Sequence, residues 1–417
     1  MLESTDGALG ALSEVPGASK QQQLAGTKVL IIVENLPVPF DRRVWQEACA
    51  LRDGGAEVSI ICPTGKGLEQ REEVLEGIQI FRHPLPLEAK GAIGFLVEYT
   101  AALYHETRLA WKIFFGHGFG MLHLCNPPDL IFLVALPFKL LGKRVIFDHH
   151  DLNPEMYEVK FGRRGALWYA LRLFEWLTFK VADVVISTNE SYRSVAITRG
   201  GKHDRDVFVV RSGPDVSRLK LVPPDPSLRR GRPFLVGYVG IMGAQDGVDL
   251  LLEAARHLVH ERRRRDVQFV LVGGGPEMRR LEEISKSSGL DDYVTFAGFQ
   301  YGDNLNRILS SIDIGVCPDP RNDYANKCTM NKVMEYMAFG KPLVQFDLDE
   351  GRFSAREASL YAKPNDPIDF AVKISELLAD EAARRRMGEL GRQRIENELA
   401  WQYEVPKLIA AYKRALR

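Results

Sequence analysis

The sequence predicts an α/β protein made of two doubly wound parallel sheets in series. Short β-branched runs alternate with helix-patterned stretches from Lys28 to the end, the signature of parallel α/β layers. Midway, residues 213–233 hold five prolines without apolar periodicity, and the alternation then restarts, as it does across a linker. At 417 residues the chain suits two cores rather than one.

The first sheet takes KVLIIV (28–33), EVSIIC (57–62), IQIF (78–81), MLHLC (121–125), KRVIFD (143–148), DVVIST (183–188) and VFVVR (207–211). The second takes FLVGYVG (234–240), VQFVLVG (267–273), YVTFAG (293–298), IDIGVC (312–317) and PLVQF (342–346). Ligands of such sheets sit beyond the carboxyl ends of the strands, so the loops after these runs hold the candidate site.

Composition narrows the class. Apolar content of 45% and charged content of 26% are those of a soluble globular protein. Zero formal charge leaves no global field to recruit nucleic acid, so any anion must be held locally. Cys49, Cys62, Cys125, Cys317 and Cys328 are odd in number and lack metal-site spacing, which points to reduced thiols in a cytoplasm. Residues 1–26 are small and polar without a basic start or apolar core; they read as a disordered leader, not a signal peptide. The longest apolar candidate for a span, 130–141, is too short and carries Lys139.

The most informative segment is TMNKVMEYMAFGKP (329–342). It predicts a helix over about 331–339 with Gly340 as its stop and Pro342 opening the next strand. Glu335 sits amid an apolar helix body, where a buried carboxylate needs a partner. Lys332 lies near the helix start, where free N–H groups already favour an anion. N–H groups for a phosphate and a carboxylate for hydroxyls suit a nucleotide sugar; the alternative is a Glu335 that simply faces water.

Other strand ends carry weaker signals. After the first strand, Asp41 is a plausible N-cap, Arg42 and Arg43 open a helix, and Gly54 and Gly55 close it. The two arginines either hold a phosphate or an acceptor's anionic group, or are solvated charges. After the fifth strand come His149, His150 and Asp151. No third metal ligand lies at suitable spacing, which leaves hydrogen bonding to a substrate or a satisfied core histidine. Gly240 and Gly243 in GYVGIMGAQDG let backbone approach a ligand, and Phe299 in FAGF either packs on a base or fills a core.

In this order, HHD, SGPD (212–215), GYVG…QDG, LVGGGP, FAGF, SSIDIGVCPD and NKVMEYMAFGKP resemble glycosyltransferase family 4, retaining enzymes of the GT-B fold. The resemblance covers about Lys28 to the C-terminus. It implies two facing Rossmann-like domains, residues 27–220 for the acceptor and 221–399 for the nucleotide-sugar donor. A C-terminal helix within 400–417 returns to the first domain. It also implies that Glu335 holds the donor ribose, that His150 contacts the transferred sugar with Asp151 beside it, and that Phe299 flanks the base. Met330, Asn331 and Lys332 then offer N–H groups to sugar or diphosphate, and no metal is expected.

Three departures stand out. Lys327 replaces the first glutamate of the family's pair. Ile241 and Asp246 stand where a phosphate-binding arginine and lysine belong. The glycine-rich loop after the first strand is replaced by NLPVPF. Lys327, Lys332 and Arg321 are candidates to supply the missing charge. The segment 161–181, rich in Leu, Trp and Phe with Arg163, Arg164, Arg172 and Lys180, either rests on an anionic membrane near a lipid-linked acceptor or packs on the first sheet with snorkelling cations. The resulting expectation is a metal-independent retaining transferase of polysaccharide assembly, cytoplasmic and peripheral to the membrane. Its rivals are a non-catalytic partner subunit with a degenerate donor site and a nucleotide-sugar epimerase.

Overall fold

The computed structural model describes residues 23–84, 91–217 and 219–417, with backbone alone for 91–99. The first sheet contains β1 (Lys28–Ile32), β2 (Glu57–Pro63), β3 (Glu72–Leu75), β4 (Ile78–His83), β5 (Met121–Cys125), β6 (Arg144–His149), β7 (Val184–Ser187) and β8 (Val207–Val209). Their order is β3-β4-β2-β1-β5-β6-β7-β8, parallel throughout except for β3. The second sheet contains β9 (Phe234–Ile241), β10 (Val267–Gly274), β11 (Val294–Gly298), β12 (Ile314–Cys317), β13 (Leu343–Phe346) and β14 (Ser359–Ala362). It runs β11-β10-β9-β12-β13-β14, all parallel.

Every expected strand is present. The two that the pattern did not signal, β3 and β14, are four-residue edge strands. β3 reads EEVL, and charge on an edge is how sheets discourage further pairing.

The helices of the first half are α1 (Arg42–Asp53), α2 (Gly91–Gly116), α3 (Phe132–Leu140), α4 (Asn153–Phe161), α5 (Ala166–Val181) and α6 (Glu190–Thr198). Those that follow are α7 (Val248–Arg256), α8 (Met278–Ser287), α9 (Gly302–Ser311), α10 (Asn331–Ala338), α11 (Asp349–Ala355), α12 (Pro367–Ala379), α13 (Glu381–Arg394) and α14 (Val405–Ala415).

Because side chains alternate along a strand, the first sheet builds two cores. Val29, Ile31, Val58 and Ile60 pack under α1 and α14. Leu30, Ile32, Leu122, Leu124 and Phe147 pack under α2, α3 and α6. α14 thus returns to the first sheet, burying Leu408, Ile409 and Tyr412 there. The leader expected over 1–26 lies outside the described residues as far as 22. Leu24 corrects its far end: it is buried in the first core and its N–H reaches Gly54 O.

The chain's two crossings between the sheets run side by side. Trp401 N–H donates to Pro214 O at 3.1 Å, and Arg211 N–H to buried Glu404 at 2.9 Å. A loop of the second half, with Tyr324, Cys328 and Met330, packs into the first half's core. These contacts place the carboxyl ends of both sheets around one cleft.

Candidate functional site

A cavity of about 300 Å³ opens between the sheets. Its first-domain wall includes Asp41 and Arg43 at the start of α1, His150 and Asp151 after β6, and Ser212 after β8. Its second-domain wall includes Gln245 and Asp246 after β9, Asp319 after β12, and Met330 and Asn331 at the start of α10.

The first-domain wall is a closed ionic network. Asp41 caps α1 by accepting from Val44 N–H, which turns Arg43 inward. Its guanidinium pairs with Asp148 at 2.7 Å and Glu47 at 3.1 Å, and donates to Val210 O at 2.9 Å and Ser212 Oγ at 3.2 Å. Burial works against the Asp148 carboxylate, yet Arg43 and His150 outweigh it and hold its pKa well below the usual range. Burial instead pushes Glu47 well above its ordinary value. His150 Nε2 lies against both the Asp148 carboxylate and Arg43 Nε, the latter at 3.1 Å, so this ring edge is held by the network.

Asn126 fixes the loop that carries these groups. Its Oδ1 accepts His150 N–H at 2.7 Å and Asp151 N–H at 3.2 Å, while its Nδ2 donates to Asp151 O at 2.8 Å. Asp151 accepts from Tyr324 O–H of the second domain at 3.0 Å, and burial raises its pKa. His149 is a core histidine, packed against Phe147, Phe179 and Tyr192, with burial lowering its pKa to about 3.

The second-domain wall is more open. Gly273 has φ +126°, and a Cβ there would lie 1.8 Å from Gly240 O, so only glycine lets β10 end against the turn after β9. A Cβ on Gly240 would meet Tyr238 Oη at 2.9 Å and Lys332 Cε at 3.4 Å. Gly243 N–H is held by Asp246 Oδ2 at 2.8 Å. α10 starts at Asn331 with no side-chain cap, so its first N–H groups remain available. Phe299 is 44% exposed, stacked on Tyr301, with Lys66 of the first domain over its ring at 5.0 Å. It is a rim platform rather than core.

Several expectations change. Val333, Met334, Tyr336 and Met337 do form the buried face of α10, but Glu335 lies off it, 16% exposed, and pairs with Arg42 across the cleft at 2.5 Å. Arg43 is no acceptor-side anion site, because Asp148 and Glu47 already claim it. Lys332 inserts beneath the Gly240 turn and donates to Asp319 at 2.6 Å, with Tyr238 beneath its ammonium. Burial lowers its pKa, but Asp319, Tyr238, Cys317 and Asp246 together outweigh that and hold it well above the ordinary value. Lys327 points to the first domain, 3.6 Å from Glu155. Arg321 faces Asp347 and Asp349. These three cations therefore do not converge on α10.

Two residues went unread. Lys160, at the end of α4, is close enough to lower the pKa of both Asp151 and Asp246, and it is exposed. Asn126 had only the turn signal NPPD to mark it. His123, Cys125 and Asp148 come within 4.8 Å of one another. Arg43 already occupies Asp148, and Tyr412 Oη meets His123 Nδ1 at 2.6 Å, so a cation there would displace a guanidinium.

Comparison with known proteins now bears on these walls. The model described as "Glycosyltransferase Family 4" matches residues 41–218, and that described as "Glycosyl transferases group 1" matches 233–380. The α-D-kanosaminyltransferase of Streptomyces kanamyceticus is 31% identical over 160 residues, 38% of this chain and 39% of that protein. The matched regions span less than two thirds of the first curated relatives. Sucrose-phosphate synthase from Thermosynechococcus elongatus superposes with a TM-score of 0.76 at 19% identity, covering 94% of this chain and 99% of its own. Anabaena HepE in complex with UDP and glucose does so at 0.68 and 15% identity, covering 94% and 99%. With one family domain matched on each side of the linker and the GT-B architecture over nearly its whole length, the chain belongs to the family 4-like glycosyltransferases.

Proposed function

We propose that the protein transfers a sugar, with retention of configuration, from a nucleoside diphosphate to a hydroxyl of a glycan or lipid-linked glycan in polysaccharide assembly. One observation carries the reading: a single cavity is bounded by the uncapped start of α10 on one side and by His150 on the other. A diphosphate set against the α10 N–H groups would run its ribose toward Glu335 and its base toward Phe299. The sugar would then face His150. The UDP and glucose in Anabaena HepE support that donor class here. Arg42 and Lys160 are the cleft cations best placed to add charge, so the scheme needs no metal.

The cavity's carboxylates favour front-face displacement. Asp41 caps α1, Asp151 accepts from Tyr324, Asp246 closes a turn and Asp319 pairs with Lys332. Each is tied to the scaffold, so none stands ready as a nucleophile. The sugar–phosphate bond breaks as the acceptor oxygen bonds on the same face, and the departing diphosphate takes the acceptor's proton. The protein contributes orientation and charge stabilisation. None of the five cysteines, all among the described residues, is in a disulfide, which fits a cytoplasmic site.

One observation favours the rival, a partner subunit with a degenerate donor site: four aspartates line the cavity where a diphosphate wants cations. A screen of nucleotide sugars with membrane extract as acceptor, read by mass spectrometry, separates the two. Transfer of one sugar from one donor is expected. No transfer from any donor, with no nucleoside diphosphate bound, would establish the rival.

A further inference from the structure

Helix α5 is built the wrong way round for a helix that only covers a sheet. Its buried positions are Glu175, Thr178 and Phe179, with Glu175 paired to Arg199. Leu167, Tyr169, Leu173 and Trp176 face outward instead. A surface helix normally buries its apolar stripe and exposes its charges. Here two of the three buried positions are polar, while four large apolar side chains face outward.

The neighbouring helices extend the surface. α3 packs against α5, and both lie on the side of the first sheet opposite α1 and α14. Leu140 at the end of α3 is 80% exposed and Leu141 follows it, while Phe115 near the end of α2 is 79% exposed. Phe115 stacks on Trp111, which packs on buried Phe138 of α3, so aromatic packing ties α2 to α3, and α3 in turn packs on α5. An exposed apolar patch of this kind marks an interaction site.

Charge selects the occupant. Residues 162–182 carry Arg163, Arg164, Arg172 and Lys180, and their one acid, Glu175, is buried. Residues 132–144 carry Lys139, Lys143 and Arg144 and no acid. Asp183 pairs with Lys139 and Arg144, Glu158 with Arg164 and Glu175 with Arg172, which leaves Lys143, Arg163 and Lys180 as the cations beside the apolar patch that are available to an anionic partner. Arg164 and Arg172 lie over Trp168, and Lys180 over Trp176, the stem-on-aromatic arrangement of interfacial residues. No helix among the described residues is long and apolar enough to cross a membrane.

We infer that the outer face of α2, α3 and α5 is a docking surface for an anionic lipid bilayer, with Leu140, Leu173 and Trp176 entering the interface and the flanking cations meeting lipid headgroups. α4 leads from the His150 loop directly to α5, so docking there brings the cleft's first-domain wall close to a bilayer. The inference stands whether or not the transfer reaction is as proposed.

Co-flotation of the full chain with vesicles tests it, using phosphatidylcholine alone and phosphatidylcholine with phosphatidylglycerol. Binding to the mixed vesicles, absent from the neutral ones and weakened by salt, is expected. Replacing Lys143, Arg163 and Lys180 together by glutamine should weaken partition roughly 100-fold, at about fivefold per cation. Leu140→Ser with Trp176→Ser should abolish it, with an unchanged thermal melt showing that these surface changes leave the fold intact. Equal binding to both vesicle types, or none to either, would overturn the inference. So would a dimer in light scattering that the Leu140→Ser and Trp176→Ser pair makes monomeric, because a second copy would then own the face.

Discussion

The two walls of the cleft handle charge in opposite ways. On the first-domain side, Arg43, Asp148 and His150 hydrogen-bond one another, Glu47 joins them through its ion pair with Arg43, and all are buried or nearly so. On the second-domain side, the α10 N–H groups are uncapped, Phe299 is half exposed, and Glu335 is held only by Arg42 from across the cleft. A locked network defines geometry but has little left to give a ligand. An open one binds but cannot by itself hold a reacting group still. The pairing suits a site where one wall positions the sugar and the other captures a nucleotide.

Removing the hub of the locked wall should have the largest effect. Arg43→Ala leaves Asp148 buried without its cation, which costs about 3–5 kcal/mol, read as a fall in the urea midpoint. A loss below about 1 kcal/mol would mean the network is not closed. Next comes His150→Ala, which should lower kcat roughly 100-fold while changing nucleotide affinity little, because the proposed contact is to the sugar rather than to the nucleotide. A raised donor constant with unchanged kcat would move His150 to the open wall.

Asp246 is the strained member of the second-domain wall. Burial pushes its pKa up to about 6. Native protein therefore takes up this proton near pH 6, whereas the unfolded chain does so only near pH 4. Through this group stability falls as pH rises from about 4 to about 6, and the cost above that is at most roughly 3 kcal/mol. Asp246→Asn should recover about 1–2 kcal/mol at pH 7.5 and flatten that slope. It should also tighten nucleoside diphosphate binding at pH 7.5, since a carboxylate beside the phosphate is removed. Denaturation at pH 5 and 7.5 checks the first claim; unchanged stability at both would contradict it.

Legibility follows the same divide. Short β-branched runs exposed the strands of both sheets apart from β3 and β14, and local punctuation placed the α10 start and the Gly340 stop. The role of Arg43 was out of reach, because its partner Asp148 lies 105 residues away and only the folded sheet brings them together. Arg42 and Glu335 are 293 residues apart, so the sequence shows a carboxylate in need of a partner without showing which. Lys327 and Lys332 look alike along the chain, yet one turns to Glu155 and the other to Asp319. For α5 the sequence leaves a membrane face and ordinary packing both open, and only burial shows which side Glu175 takes.

The central claim is that the open wall captures a nucleoside diphosphate through the α10 start and Glu335. Isothermal titration of UDP and GDP into the wild type and Glu335→Gln tests it most directly. One-site binding of at least one nucleotide is predicted, weakened by about 1–3 kcal/mol in the variant as a charged acceptor to ribose hydroxyls becomes neutral. Equal affinity in both proteins would make Glu335 only a tether for Arg42, and no binding in the wild type would contradict the account.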